Sequence, residues 1–251
     1  VGDRLAFEPA DTLSLLIDGP EGLTIPTDGN STLSAARMLD PARGARIRLT
    51  KNLPVSSGIG GGTADAAAAY RGLRRLWDLP KTTPSQQTFA DIAKLGADVP
   101  VCLFSRTARM SGVGEEIEFL PRFPKLNAIL VNPRVEVSTP KVFGALASKN
   151  NPCMDDVPGS FASKEALVSW LCLERNDMQD AAIAIAPPIA DVLSEISAVK
   201  SCQLARMSGT GATCFGLFPN AQAAQDAAST IGKRHTDWWV RACTLGEGTA
   251  S

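Results

Sequence analysis

Histidine and tyrosine each occur once in this chain, as His235 and Tyr70. His235 stands beside Trp238 and Trp239, far from every other distinctive segment, and is expected to be structural or at the surface. The six cysteines (Cys102, Cys153, Cys172, Cys202, Cys214 and Cys243) include no C-x-x-C pair, so neither a zinc spacing nor a disulfide framework is visible. Several lie in apolar runs such as Val101-Cys102-Leu103-Phe104, and they read as reduced core residues of a cytoplasmic protein. No apolar run approaches the length of a membrane span, and no signal sequence is seen. Charge of one sign is also lacking: 25 basic residues face 26 acidic ones, so there is no general electrostatic reason to bind nucleic acid or an anionic membrane. Internal repeats and low-complexity tracts are absent. What remains is an ordinary globular composition, 44% hydrophobic over 251 residues, enough for one large core or two modest ones.

Against that background one run stands out. Pro54-Val55-Ser56-Ser57-Gly58-Ile59-Gly60-Gly61-Gly62-Thr63-Ala64-Asp65-Ala66-Ala67 sets four glycines and three hydroxyls directly before an alanine-rich helix. Ala66, Ala69, Tyr70, Leu73 and Trp77 then recur with helical period and form one face, leaving Arg71, Arg74 and Arg75 to a solvated opposite face. Glycine admits positive φ and lets a ligand reach the main chain, while a helix start offers unpaired N–H groups and the positive end of its dipole. Close packing of helix on strand would explain one or two glycines. Four within five positions cost too much chain entropy for packing alone, and a phosphate cradle over 54–64 is expected.

Two common phosphate loops do not fit. A Walker-type loop needs Lys-Ser or Lys-Thr after its last glycine, and Gly62 is followed by Thr63-Ala64. A dinucleotide fold wants its glycines immediately after a strand; here Lys51-Asn52-Leu53-Pro54 intervenes after the strand-like 45–50.

Periodicity and breakers suggest the following order. Segments 4–17 and 45–50 read as strands, with a short helix over 32–39 capped by Asn30-Ser31. A helix over 85–95 places Phe89, Ile92 and Ala93 on one side and stops at Gly96. Strands are expected at 101–104, 106–111 and 115–120, the last two joined by Gly112-Val113-Gly114. The proline-rich 121–125 is the candidate junction between domains 1–123 and 124–251. Beyond it come a strand (127–132), a helix opening at Thr139-Pro140, helices around 163–172 and 176–198, strands at 202–207 and 213–218, a helix at 220–231 and a strand at 236–244. This alternation is that of an α+β fold.

The glycine run, with its triple glycine, hydroxyl and Asp-Ala-Ala, resembles the second motif of the GHMP kinase superfamily. Three further segments agree in order: Leu95-Gly96-Ala97-Asp98-Val99-Pro100, Asn132 through Phe143, and Met207-Ser208-Gly209-Thr210-Gly211-Ala212. The resemblance covers nearly the whole chain. It implies a two-lobed GHMP kinase fold, with an N-terminal lobe like the second domain of ribosomal protein S5 and a ferredoxin-like C-terminal lobe. It implies ATP as phosphate donor and, in the branch that matches best, a small-molecule cytidylyl substrate phosphorylated at its 2-hydroxyl in the non-mevalonate route to isoprenoids. The alternatives are a kinase for another small alcohol, of homoserine or mevalonate type, and a catalytically silent nucleotide-binding homologue.

Residue roles follow from the same resemblance. Asp98 corresponds to the catalytic base, although on spacing alone a turn residue bonding its own backbone would explain it. Asn30 is either a helix cap or part of the adenine pocket. Lys51 borders the nucleotide side, and with Pro54 to Ala64 completes the ATP-binding set. Thr139, Pro140 and Phe143 face the cytidine, with Phe143 stacking on the base or else serving as plain core. Gly209, Thr210 and Gly211 form the third motif, or simply a tight turn. No protein metal site is expected; Mg²⁺ arrives with the ATP phosphates, with Thr63 the nearest hydroxyl. Two features depart from the family: Ala64 stands where a serine is common, leaving Thr63 and Ser57 as hydroxyls, and the family's Pro-Ala-Lys and Gly-Tyr-His elements are not in the sequence. The lysine of the catalytic pair would belong to the former, so a protein starting at Val1 is expected to show at most weak nucleotide binding and no measurable kinase activity.

Overall fold

The structure, a computed structural model, describes residues 1–23, 25–80, 86–112 and 114–246, with backbone alone for 86–88. Two compact units share the chain: Val1–Val55 with Gly60–Leu120, and Ser56–Ile59 with Pro121–Glu247.

In the first unit, β1 (Arg4–Pro9), β2 (Leu13–Asp18) and β3 (Ala45–Thr50) form a sheet in the order β1-β3-β2. The stretch expected as strand over 4–17 is thus two strands, and β3 lies between them, antiparallel to β1 and parallel to β2. Alternation on β3 is strict: Ala45, Ile47 and Leu49 are buried, while Arg46 and Arg48 point outward and meet Glu8 and Asp18. Two helices cover the apolar face, α1 (Ser31–Leu39) and α2 (Gly61–Leu76), and Leu73 closes the core against Ile47. Gly72 has no room for a side chain, since a Cβ there would lie 2.2 Å from the Phe7 ring.

The chain continues through α3 (Gln86–Ala93), α4 (Val99–Phe104) and the hairpin β4 (Ala108–Ser111) and β5 (Glu116–Phe119). Ser85 and Val113, expected in a helix and a turn, lie outside the described residues. The strand expected at 101–104 is instead helical; a four-residue apolar run carries no period that separates the two. That helix also changes the reading of Arg71, which is half-buried and donates to the carbonyls of Cys102 (2.9 Å) and Leu103 (3.3 Å) at the end of α4 instead of facing solvent.

The second unit holds β6 (Leu126–Asn132), α5 (Thr139–Gly144), α6 (Lys164–Leu173), α7 (Gln179–Ile185), α8 (Pro188–Ser197), β7 (Leu204–Met207), β8 (Cys214–Phe218), α9 (Ala221–Arg234) and β9 (Trp239–Leu245). Its antiparallel sheet runs β7-β8-β6-β9, the arrangement of a ferredoxin-like βαββαβ unit. Ile129 and Val131 pack with α8 and α9, and Leu126 and Ala128 pack with Leu167 and Val168 of α6, so both sheet faces are covered. The single helix expected over 176–198 is two, because Pro187 and Pro188 lack the N–H groups that would continue the first, and the second starts with proline at its opening position. The cysteines are free, but Cys153 and Cys172 are exposed, not core. Cys214 is buried, which pushes its thiol up to about 12. Among the described residues no helix is long and apolar enough to cross a membrane.

Candidate phosphate-binding and catalytic site

The first turn of α2 is built without a cap. Gly60 precedes it in the left-handed region (φ 67°), and having no side chain it leaves the turn's N–H groups uncapped. Its carbonyl takes the Thr63 hydroxyl at 2.7 Å and the Ala64 N–H at 2.9 Å. The two glycines that follow differ in surroundings. A Cβ on Gly62 would meet nothing within 4 Å, whereas one on Gly61 would sit 3.3 Å from Lys51 Nζ and 3.5 Å from Leu53. Gly62 therefore faces open space and Gly61 faces the packed side. The start of α1 lies alongside: Ser31 Oγ donates to the Gly62 carbonyl at 3.0 Å, and Asn30 caps α1 by accepting from Thr32 N at 2.9 Å. The capping role of Asn30 is realised, through its carboxamide oxygen.

Lys51 is buried rather than lining an open surface. Its ammonium lies 2.5 Å from Asp3 Oδ2 and 2.8 Å from Asp65 Oδ2, with all three side chains at most 7% exposed. Asp3 also accepts from Asn52 N (2.6 Å) and Leu53 N (2.9 Å). Burial works against the lysine's charge, but the two carboxylates outweigh it and raise its pKa. Two carboxylates against one ammonium leave excess negative charge, and burial, with Asp3 adding to it against Lys51, pushes Asp65 up to about 6. Neither Asp3 nor Asp65 was singled out by sequence reasoning. A signal for Asp65 existed: it falls four residues before Ala69, on the apolar face of α2, where a charge needs a buried partner.

Asp98 ends the Gly96-Ala97 segment and immediately precedes α4. Its side chain is exposed and makes no capping bond, while the backbone turn over 96–99 is closed by Val99 N donating to the Gly96 carbonyl at 3.0 Å. The segment abuts the start of α2, since a Cβ on Gly96 would lie 3.0 Å from Thr63 Cγ2. One turn further on, burial raises the pKa of the Cys102 thiol, with a hydrogen bond from Thr63 acting in the opposite sense.

In the second unit, segments far apart in sequence converge. The Ser57 carbonyl accepts from Thr213 N at 3.1 Å, and the Gly58 carbonyl from Ser208 Oγ at 2.9 Å. Gly58, at φ 72°, is tightly enclosed: a Cβ would lie 2.5 Å from the Ser208 carbonyl oxygen and 2.6 Å from that of Gly211. Thr139 and Thr210 share a hydrogen bond of 3.0 Å between their hydroxyls. Asn176 Nδ2 donates to the carbonyls of Met207 (2.9 Å) and Gly209 (2.8 Å), and buried Asn132 Nδ2 donates to Thr213 Oγ1 at 2.9 Å. Asn176, Ser208 and Thr213 thus hold the Gly209-Thr210-Gly211 turn and the 56–59 segment, roles that short-range patterns do not reveal. On α5, Val142 is fully buried while Phe143 is 50% exposed, so Phe143 is not core; Thr139 and Pro140 are exposed beside it. His235 stacks on Trp238, with ring centroids 3.8 Å apart, as befits a structural residue.

This combination of a glycine-led helix start, an adjacent free carboxylate and a ferredoxin-like second unit coincides with family-level matches. The GHMP kinases N terminal domain model matches residues 30–106, and the GHMP kinases C terminal model matches 159–236. The chain belongs to the GHMP kinases. Within them it is 51% identical, over 98% of its own length and 82% of the relative's, to the 4-diphosphocytidyl-2-C-methyl-D-erythritol kinase of Roseobacter denitrificans. It is 45% identical to the kinase of that name from Paramagnetospirillum magneticum, over 98% of this chain and 86% of the relative. A crystal structure of 4-(cytidine 5'-diphospho)-2C-methyl-D-erythritol kinase superposes with TM-score 0.76 at 29% identity, covering 98% of this chain and 87% of that one. The crystal structure of L. major mevalonate kinase in complex with R-mevalonate shares the fold, with TM-score 0.67 at 16% identity over 99% of this chain and 87% of that one.

Proposed function

We propose that this protein transfers the γ-phosphoryl group of ATP to the 2-hydroxyl of 4-diphosphocytidyl-2-C-methyl-D-erythritol. The observation that carries the reading is the 51% identity to a kinase named for that substrate across nearly the whole chain. The uncapped first turn of α2, open on its Gly62 side, supports it as a place for nucleotide phosphates.

Phosphoryl transfer demands alignment and charge stabilisation more than covalent help from the protein. The N–H groups at 61–63 bind phosphate oxygens. Asp98, two residues after the Gly96 that abuts Thr63, accepts the proton of the attacking hydroxyl as its oxygen bonds to the γ-phosphorus and the bond to the β,γ-bridging oxygen breaks, releasing ADP. Asn30 borders the adenine. In the second unit the exposed ring of Phe143 stacks on the cytosine, with Thr139, Pro140 and the Gly209-Thr210-Gly211 turn completing the substrate side. Among the described residues no cluster of His, Cys, Asp or Glu could hold a metal, and the Thr63 hydroxyl already donates to Gly60. A Mg²⁺ ion brought with the nucleotide would be held by its phosphate oxygens and water, with Thr63 the nearest protein hydroxyl, and would supply positive charge against the phosphates.

The test is ADP release with the cytidylyl substrate, homoserine and mevalonate in parallel, using wild type and Asp98→Asn. Release with the cytidylyl alcohol alone, reduced ~10²–10⁴-fold in the variant with both ligands still bound, is expected. Turnover of homoserine or mevalonate instead would reassign the substrate, and normal turnover in the variant would remove Asp98 from the role of base.

A further inference from the structure

Lys51 leaves the end of β3 into a pocket already crowded by the first unit's own backbone. Its N–H donates to the Asp18 carbonyl at 2.7 Å, and its carbonyl accepts from Glu21 N at 3.1 Å. Its side chain then reaches Asp3, just before β1, and Asp65, in the second turn of α2. One ammonium thereby ties the end of the sheet to the helix that begins the phosphate loop. Asp65 lies four residues after Gly61, and the Cβ position of Gly61 lies 3.3 Å from the same ammonium. The lysine packs behind the loop, on the side away from the open Gly62 face.

We infer that Lys51 is a positioning residue: clasped by Asp3 and Asp65, it sets where the first turn of α2 stands relative to the sheet, and it does not itself touch the nucleotide. This rests on the kinase reading of the loop, and it assigns work to two buried carboxylates that the phosphoryl-transfer scheme leaves unused. A buried ion group of this kind gives little net stability, because desolvation offsets most of the attraction; what it supplies is a defined geometry. A lysine acting directly on phosphate would instead need its ammonium turned toward the open side, out of both bonds.

The two roles separate on Asp65→Asn, which leaves a balanced Asp3–Lys51 pair and so keeps the fold. If the clasp positions the loop, amide hydrogen exchange at residues 60–66 without nucleotide speeds up. The KM for ATP then rises about tenfold while the KM for the alcohol stays put, a split that general destabilisation would not produce. Lys51→Met should show the same selective loss, and the double variant should be no worse than Lys51→Met, because both remove one interaction. Unchanged exchange and ATP affinity in Asp65→Asn, alongside lost affinity in Lys51→Met, would overturn the inference and make Lys51 a direct ligand. Faster exchange in Asp65→Asn, where the wild type itself neither binds nor hydrolyses ATP, would uphold the clasp on α2 and refute the kinase reading on which its purpose depends.

Discussion

Gly61 and Gly62 are neighbours with opposite consequences. A side chain at Gly61 would push on Lys51 and Leu53, so its substitution mixes loop damage with damage to the ion triad. Gly62 has helical backbone and empty space beyond it, so Gly62→Val should fold normally and yet block phosphate, seen as loss of ATP binding by calorimetry with little change in melting temperature. Unaltered nucleotide affinity in that variant would remove the phosphate cradle from this loop. Phe143 permits a matching test on the substrate side. Its half-exposed ring contributes little to the core, so Phe143→Ala should weaken the cytidylyl substrate by ~1–3 kcal/mol, as one lost base stack does, and leave ATP binding unchanged. Equal weakening of both ligands would mean that the ring serves the fold.

Helices and strands were legible wherever they carried a clear period. The alternation of β3 and the apolar stripe of α2 emerged close to where they were expected. α4 and the break between α7 and α8 did not, because a short apolar run has no period and a proline pair can sit inside or between helices. The 56–59 segment shows what an element can owe to distant chain: its glycine is required by carbonyls 150 residues later. Gly58→Ala combines a strained φ with a backbone clash, so it should destabilise the fold by ~1–3 kcal/mol in urea titration, while Gly62→Ala costs little. Equal stability of the two alanine variants would show that the 56–59 segment moves freely aside.

For the molecule as a whole, the buried triad makes stability depend on pH. Asp65 has a folded-state pKa of about 6, above the 3.8 of an unperturbed aspartate. Its contribution is therefore full below pH 3.8 and is lost as the pH rises through about 6, a change on the order of 1–3 kcal/mol. Asp65→Asn has no charge to bury, so its melting temperature should gain on wild type between pH 5 and pH 8. A difference constant over that range would mean that Asp65 does not titrate there. Stability and function then pull apart at this residue, since the variant expected to gain heat resistance on wild type as the pH rises is also the one expected to bind ATP less well.

The glycine run, the helix behind it, the α+β alternation and the ordered motifs were all readable along the chain, because each depends on neighbours within a few residues. They suffice for the family and for the expectation of a phosphate cradle at 54–64, since a helix start carries its anion preference wherever it is placed. The partners of Lys51 were not readable. Asp3, Lys51 and Asp65 are spread over three elements, and nothing local tells a solvated charge from one that folding will bury and pair. The same holds for Asn132, Asn176, Ser208 and Thr213, whose hydrogen bonds form only once the sheet β7-β8-β6-β9 has closed. Phe143 sits between these cases: helical period left it on either face, and packing of Val142 into the core turned it outward.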